Sequence, residues 1–230
     1  MTTSEKCTRL HEIFTCLKRL RFETSQIAGL GFKNGIYIIF EEGEEAHGGD
    51  RIVRVGTVTG KKSALADRLK EHYDNEGRSV FRNNIALCLL RQNGDSLNLS
   101  ELFLKDSIFR EKWKKTATKE QLGKYKEIND AVSQYIRTSC SFVAFPIKND
   151  ALNNWEAKII STVSTCKDCG SSHHWLGKLI PDKKHKIRDS GLWNITYVND
   201  KNLITESELA ELEQILESSK KSVYLTGGKQ

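Results

Sequence analysis

Asn34-Gly35-Ile36-Tyr37-Ile38-Ile39-Phe40 and, after the connection Glu41–Asp50, Arg51-Ile52-Val53-Arg54-Val55-Gly56-Thr57 are the two runs that decide the fold. Both are short, apolar and rich in β-branched residues, so they read as neighbouring strands. The connection holds Gly43, Gly48 and Gly49 with acidic residues and His47, the composition of an exposed hairpin loop. A helix follows to about Asn75, with Ser63 as N-cap and Leu65 and Leu69 as its apolar edge. Arg68 and His72 stand one turn apart beside that edge and share a face. Taken alone, such a pair is a surface arginine and a histidine satisfied by its neighbours. Directly after two strands it becomes a candidate site.

Further along, Cys140-Ser141-Phe142-Val143-Ala144-Phe145-Pro146-Ile147 reads as a buried strand ended by a proline at its edge. Asp150 can cap the next helix, whose core stripe is Leu152, Ile159, Ile160 and Val163. Glu156 falls on that stripe, one turn from Leu152 and from Ile160. A carboxylate aimed at a core needs an arginine, a metal ion or a site to line, since unpaired burial costs several kcal/mol or neutralises it.

This ordered set resembles the GIY-YIG nuclease superfamily over roughly residues 31 to 165. Its first strand carries Gly-Ile-Tyr, here Gly35, Ile36 and Tyr37, and its second ends in Tyr-Ile-Gly or Tyr-Val-Gly, here Arg54, Val55 and Gly56. Arg68, His72 and Glu156 fit the family's helix arginine, the histidine that often follows it, and the distant glutamate. The chain departs from the pattern at Arg54, where the second tyrosine normally stands.

The resemblance implies a metal-dependent endonuclease acting on DNA phosphodiester bonds, with double-stranded DNA as partner and Tyr37, Arg68, His72 and Glu156 as catalytic residues. Glu156 would hold Mg²⁺ or Mn²⁺, a hard cation content with one carboxylate, water and phosphate oxygens. Arg68 would donate to non-bridging oxygens. Tyr37 would orient or deprotonate the water. A phenol is a weak base at neutral pH, which gives His72 a purpose as proton acceptor. Arg54 is a permanent cation and no general base. Two readings stay open: an active site with Arg54 as an added phosphate clamp, or a silent protein that only binds nucleic acid. Restriction- or defence-related cleavage is an analogy of fold.

Other segments add candidates. Ser79-Val80-Phe81-Arg82 opens a helix to about Arg91, and Ser79 and Arg82 suit a phosphate or a helix cap. Lys61, a candidate phosphate or DNA ligand, lies in Gly56-Thr57-Val58-Thr59-Gly60-Lys61-Lys62-Ser63, which mimics a P-loop but lacks its spacing and its series of strand-helix units. A lysine-rich helical insertion, residues 97–137, is either a DNA-gripping surface or a solvated face. Cys166 and Cys169, with His173, His174 and His185 downstream, offer zinc-type ligands, His174 being the candidate third. Half of a strong motif is present, and reduced loop cysteines are the alternative, leaving a zinc-stabilised interaction module as a rival class.

The remainder reads as scaffold. Ser4 to Phe22 is an amphipathic helix, Ser190 to Val198 an added strand, and Thr205 with Glu208 a capping box for a final helix. The expected architecture is α/β, or α+β: a small, mainly antiparallel three-stranded sheet flanked by helices. Residues 1–30 form an N-terminal extension, 31–165 the catalytic domain, and 166–230 a C-terminal extension on the same domain.

With 230 residues, 38% hydrophobic content and two prolines, the chain can bury a core and is neither fibrous nor disordered. Six scattered cysteines do not suit a disulfide framework. The sequence offers no membrane span or secretory leader, so a cytoplasmic address is expected. The net charge of +6 is compatible with nucleic acid but discriminates only alongside the motifs. Oligomeric state stays open, a dimer included.

Overall fold

The computed structural model of the protein describes residues 1–58, 64–74, 79–148 and 150–226, with side chains through residue 218. In chain order the elements are α1 (Thr3–Thr15), β1 (Leu20–Arg21), α2 (Thr24–Ala28), β2 (Gly35–Ala46), β3 (Gly49–Thr57), α3 (Leu65–Tyr73) and α4 (Val80–Asn93). They continue with α5 (Ser100–Leu104), α6 (Ser107–Lys114), α7 (Lys119–Ser139), β4 (Cys140–Pro146), α8 (Leu152–Thr165), α9 (His185–Ser190) and α10 (Glu206–Thr226).

The sheet has four antiparallel strands in the order β1-β4-β2-β3, one more than expected. The added strand is the two-residue β1, whose Leu20 and Arg21 pair with Phe142 and Ser141. A strand that short has no alternation to detect. The central strand β2 pairs Ile38 with Val55 of β3 on one side and with Val143 of β4 on the other. The expected exposed loop, 41–50, is instead mostly strand, and its turn falls at His47 and Gly48.

Strand alternation sorts the side chains into two layers. Ile36, Ile38 and Phe40 enter a core with Leu10 and Phe14 of α1, Leu152, Ile159 and Ile160 of α8, and Leu209 and Leu212 of α10. Tyr37 and Ile39 face the opposite core, with Leu65 and Leu69 of α3, Phe81 and Ile85 of α4, and Ile128 and Val132 of α7. The N-terminal helix and the final helix are thus packed in the same core as the sheet. The Thr205–Glu208 capping box forms as expected, with Glu208 N–H donating to Thr205 Oγ1 at 3.3 Å and Thr205 N–H to Glu208 Oε2 at 2.9 Å. The N-cap of α8 is Ala151 rather than Asp150.

Residues 190–198 do not form the expected strand. They cover the free edge of β3 by other means: Trp193 N–H donates to Val53 O at 2.8 Å, and the Asn194 side-chain amide bonds both Val55 N–H (3.0 Å) and Val55 O (2.9 Å). A side-chain amide carries one donor and one acceptor side by side, so it satisfies a strand edge without continuing the ladder. The hairpin is tied to the same region by a buried pair, in which Arg51 donates to Glu44 at 2.6 and 3.0 Å and to Gly191 O at 2.5 Å. No helix among the described residues is long and apolar enough to cross a membrane.

Candidate active site

The two motif glycines stand where a side chain could not. A Cβ on Gly35 would lie 2.2 Å from Phe145 O of the neighbouring strand, and a Cβ on Gly56 would meet Tyr37 Oη, Cζ and Cε1 at 2.2, 2.3 and 2.8 Å. Tyr37 and Gly56 are register partners, so the phenol ring lies across the glycine to reach α3. There its hydroxyl meets His72 Nε2 at 2.7 Å. The last glycine of the second motif therefore makes room for the tyrosine of the first.

His72 is fully buried and its other nitrogen, Nδ1, contacts Ser79 Oγ at 2.8 Å. Burial pushes its pKa well below the ordinary histidine value, and the cations Arg54, Arg68 and Arg82 push the same way. It is consequently neutral at physiological pH, with one donor and one acceptor nitrogen. Tyr37, His72 and Ser79 form a continuous hydrogen-bonded chain from β2 through α3 to the N-cap of α4.

Ser79 and Arg82, expected at a phosphate or as a helix cap, are buried structural partners of this chain. Ser79 Oγ accepts Arg82 N–H at 3.3 Å as the cap of α4, while Arg82 donates to His72 O at 3.1 Å and to Asn129 O at 2.9 Å. The Ser-x-Phe-Arg run fixes the backbone and the imidazole of His72, and Phe81 packs edge-on against that ring with centroids 5.4 Å apart. Local sequence cannot separate such inward-facing polar residues from phosphate ligands, because both tasks draw on the same donors.

Arg54 is buried as well. Its Nη1 donates to Trp193 O at 3.0 Å, its guanidinium stands 5.2 Å from the Phe81 ring centroid, and its Nε finds no protein partner among the described residues. Arg68 is half-buried and pairs with Glu71 at 2.9 Å. Burial disfavours its charge, but Tyr37 and Glu71 outweigh that and leave its pKa above the ordinary value.

Glu156 sits half-buried on α8, at the margin of the core stripe rather than in it. Burial raises its carboxyl pKa, and Arg54 and Arg68 partly restore the charge. Among the described residues it has neither a hydrogen bond nor an ion pair. Tyr37, His72, Arg54, Arg68 and Glu156 thus share one neighbourhood, drawn from β2, β3, α3 and α8. Lys61, the remaining expected phosphate ligand, lies outside the described residues, as does Ser63.

The structure does not gather Cys166, Cys169 and His174. His174 is exposed and lines, with His173, Glu41, Tyr135 and Trp175, a separate cleft of about 450 Å³. His185 is also apart, its Nδ1 within 3.2 Å of Asp182 O. Cys169 instead lies beside Cys7, His11 and His47, which no local spacing in the sequence connects to it.

A family model described as GIY-YIG domain matches residues 3–222, reaching into both extensions. No curated protein and no solved structure matches the chain. With the two strand motifs, the helix arginine and histidine, and the glutamate of α8 in one neighbourhood, the chain belongs to the GIY-YIG nuclease superfamily.

Proposed function

We propose that the protein is a metal-dependent endonuclease that hydrolyses DNA phosphodiester bonds. One observation carries this reading: Glu156, half-buried and without a hydrogen bond or ion pair among the described residues, feels the charges of Arg54 and Arg68, and Arg68 in turn acts on the hydrogen-bonded Tyr37–His72 pair. A partly desolvated carboxylate without a partner is an expensive arrangement for structure alone. It suits a group that acquires its partner when a cation and a phosphate arrive.

In this reading the Tyr37 hydroxyl donates to His72 Nε2, and Nδ1–H donates to Ser79 Oγ. The phenol oxygen, which also accepts from the neighbouring Arg68 guanidinium, offers its remaining lone pair to the attacking water. Neighbouring cations disfavour an imidazolium, so His72 serves to orient the phenol by accepting its hydrogen bond at Nε2 rather than to store its proton. Arg68 donates to the non-bridging phosphate oxygens, where negative charge grows as the nucleophile approaches. Arg54, anchored on Trp193 O, contributes field more than contact: it favours the ionised form of Glu156 and adds positive potential at the scissile group. Glu156 and phosphate oxygens suit Mg²⁺ or Mn²⁺, which when bound supplies Lewis-acid stabilisation of the leaving oxygen.

Double-stranded DNA is the proposed substrate. A restriction or defence setting rests on fold analogy alone. The second reading, a silent nucleic-acid-binding protein, is favoured by one residue, the arginine at the second motif position. Nicking of supercoiled plasmid with and without Mg²⁺ separates the two: metal-dependent nicking that disappears in Glu156→Gln supports the enzyme, and DNA binding without nicking supports the silent binder.

A further inference from the structure

On the opposite layer of the sheet from Tyr37, three separate chain segments bring sulfur and imidazole groups together. Cys7 and His11 come from one face of α1, His47 from the β2–β3 turn, and Cys169 from the segment after α8; one ligand atom from each lies within 4.8 Å of the other three. Cys7, His11 and Cys169 are buried and all the cysteines are free thiols. Cys169 Sγ is 3.6 Å from His11 Nε2, and Cys166 Sγ, at the rim, is 3.5 Å from His47 Nε2.

Both imidazoles are oriented from behind. His11 Nδ1 lies 2.9 Å from Cys7 O, which only accepts, so that nitrogen carries the proton. His47 Nδ1 lies 2.8 Å from Thr8 Oγ1, whose own hydrogen goes to Ser4 O at 3.0 Å, so it too is the protonated nitrogen. Each Nε2 therefore bears the lone pair: that of His47 faces Cys166, and that of His11 faces Cys169 while also accepting a long bond from Ile52 N–H at 3.3 Å, which a metal ion would displace. Ordered metal-ligating histidines are held in the same way, by an Nδ1–H bonded to a carbonyl or hydroxyl, with Nε2 as the deprotonated ligand atom. His47 reaches its place from a left-handed backbone, φ 53°, which an ordinary hairpin turn would assign to glycine or asparagine.

We propose that Cys7, His11, His47 and Cys169 form a structural zinc site, with Cys166 beside it. Two thiolates and two imidazoles are the donor set of tetrahedral zinc, and zinc–ligand lengths of about 2.0–2.3 Å place sulfur and nitrogen roughly 3.6 Å apart. The three buried ligands and the surrounding core leave no open position for substrate, which distinguishes the site from a catalytic zinc. Its consequence is mechanical: it clamps α1 and the hairpin turn to the end of α8, the helix that carries Glu156. The proposal stands independently of the nuclease reading.

Metal content tests it directly. The full chain, expressed with zinc and purified without chelator, should carry about one zinc per chain, and Cys7→Ser/Cys169→Ser should carry under about a tenth. Cys16→Ser, which changes an exposed thiol outside the cluster, should keep its zinc. Because the double variant can fail to fold, a second measurement uses the wild-type chain: Co²⁺ replacing zinc should give the visible bands of a tetrahedral site with thiolate-to-cobalt charge transfer. A wild-type chain that takes up neither metal, one that binds Co²⁺ without thiolate charge transfer, a double variant that retains its zinc, or a Cys16→Ser chain that loses it would each overturn the proposal.

Discussion

Gly56→Ala should be among the most damaging one-carbon changes in this protein. The added methyl would sit 2.2–2.8 Å from three atoms of the Tyr37 ring, well inside any real contact, and that ring is 1% exposed with its hydroxyl tied to His72. The ring must shift. Overpacking a core costs about 1–3 kcal/mol, and leaving buried His72 Nε2 without Tyr37 costs about 1–3 kcal/mol more. A central value is about 4 kcal/mol, which for a chain of this size lowers Tm by ~8–16 °C. Chemical denaturation and calorimetry of the folded variant measure it. The cause is checked by repeating Gly56→Ala in a Tyr37→Leu background, where the three clashing atoms are gone and the cost should fall below about 1 kcal/mol. An equal cost in both backgrounds, or a Gly56→Ala chain within about 0.5 kcal/mol of wild type, would refute the reasoning.

Glu156→Gln should abolish metal-dependent nicking without lowering stability. Because burial holds the folded carboxyl pKa above its unfolded value, ionised Glu156 opposes folding, and that penalty grows as pH rises from the unfolded pKa through the folded one. The variant should therefore gain on wild type between pH 4 and pH 8 in metal-free denaturation; a growing deficit at high pH would contradict this. Ser79→Ala removes both the α4 cap and the Nδ1 partner of His72, and should cost about 2 kcal/mol in thermal unfolding; an unchanged Tm would show that neither bond matters. Arg54→Met removes a cation that favours ionised Glu156 and neutral His72, so the acid limb of the cleavage–pH profile should move to higher pH. A limb that stays in place would remove Arg54 from the electrostatics of the site.

What could be read without coordinates was what the chain encodes locally. Two β-rich runs, a helix with Arg68 and His72 one turn apart, and a carboxylate on an apolar helix stripe are short-range patterns, and they converge on one neighbourhood. The miss at β1 has a plain cause, since two residues have no period. Residues 190–198 look like a strand because Trp193 and Asn194 do serve a strand edge, but one does so with its amide side chain. Ser79 and Arg82 read equally as phosphate ligands or a helix cap, because polarity at a helix start signals anions as readily as it signals inward partners, and Ser79 is the cap. The Cys/His cluster was half-legible: Cys166-x-x-Cys169 announces a metal, but its partners Cys7, His11 and His47 lie more than a hundred residues away. His47 in particular looked like hairpin solvent. Only tertiary packing of α1 on α8 and the hairpin turn brings them together.

The measurement that bears most directly on the account is nicking of supercoiled plasmid in Mg²⁺ at fixed salt, comparing the intact chain with Tyr37→Phe and Glu156→Gln after each variant is shown to be folded. The account predicts cleavage by the intact chain, none without metal, and a loss of at least about a hundredfold in both variants, the scale expected when a general acid–base or metal-holding group is removed. Undiminished cleavage by folded Glu156→Gln, or tight DNA binding with no cleavage by the intact chain, would contradict it.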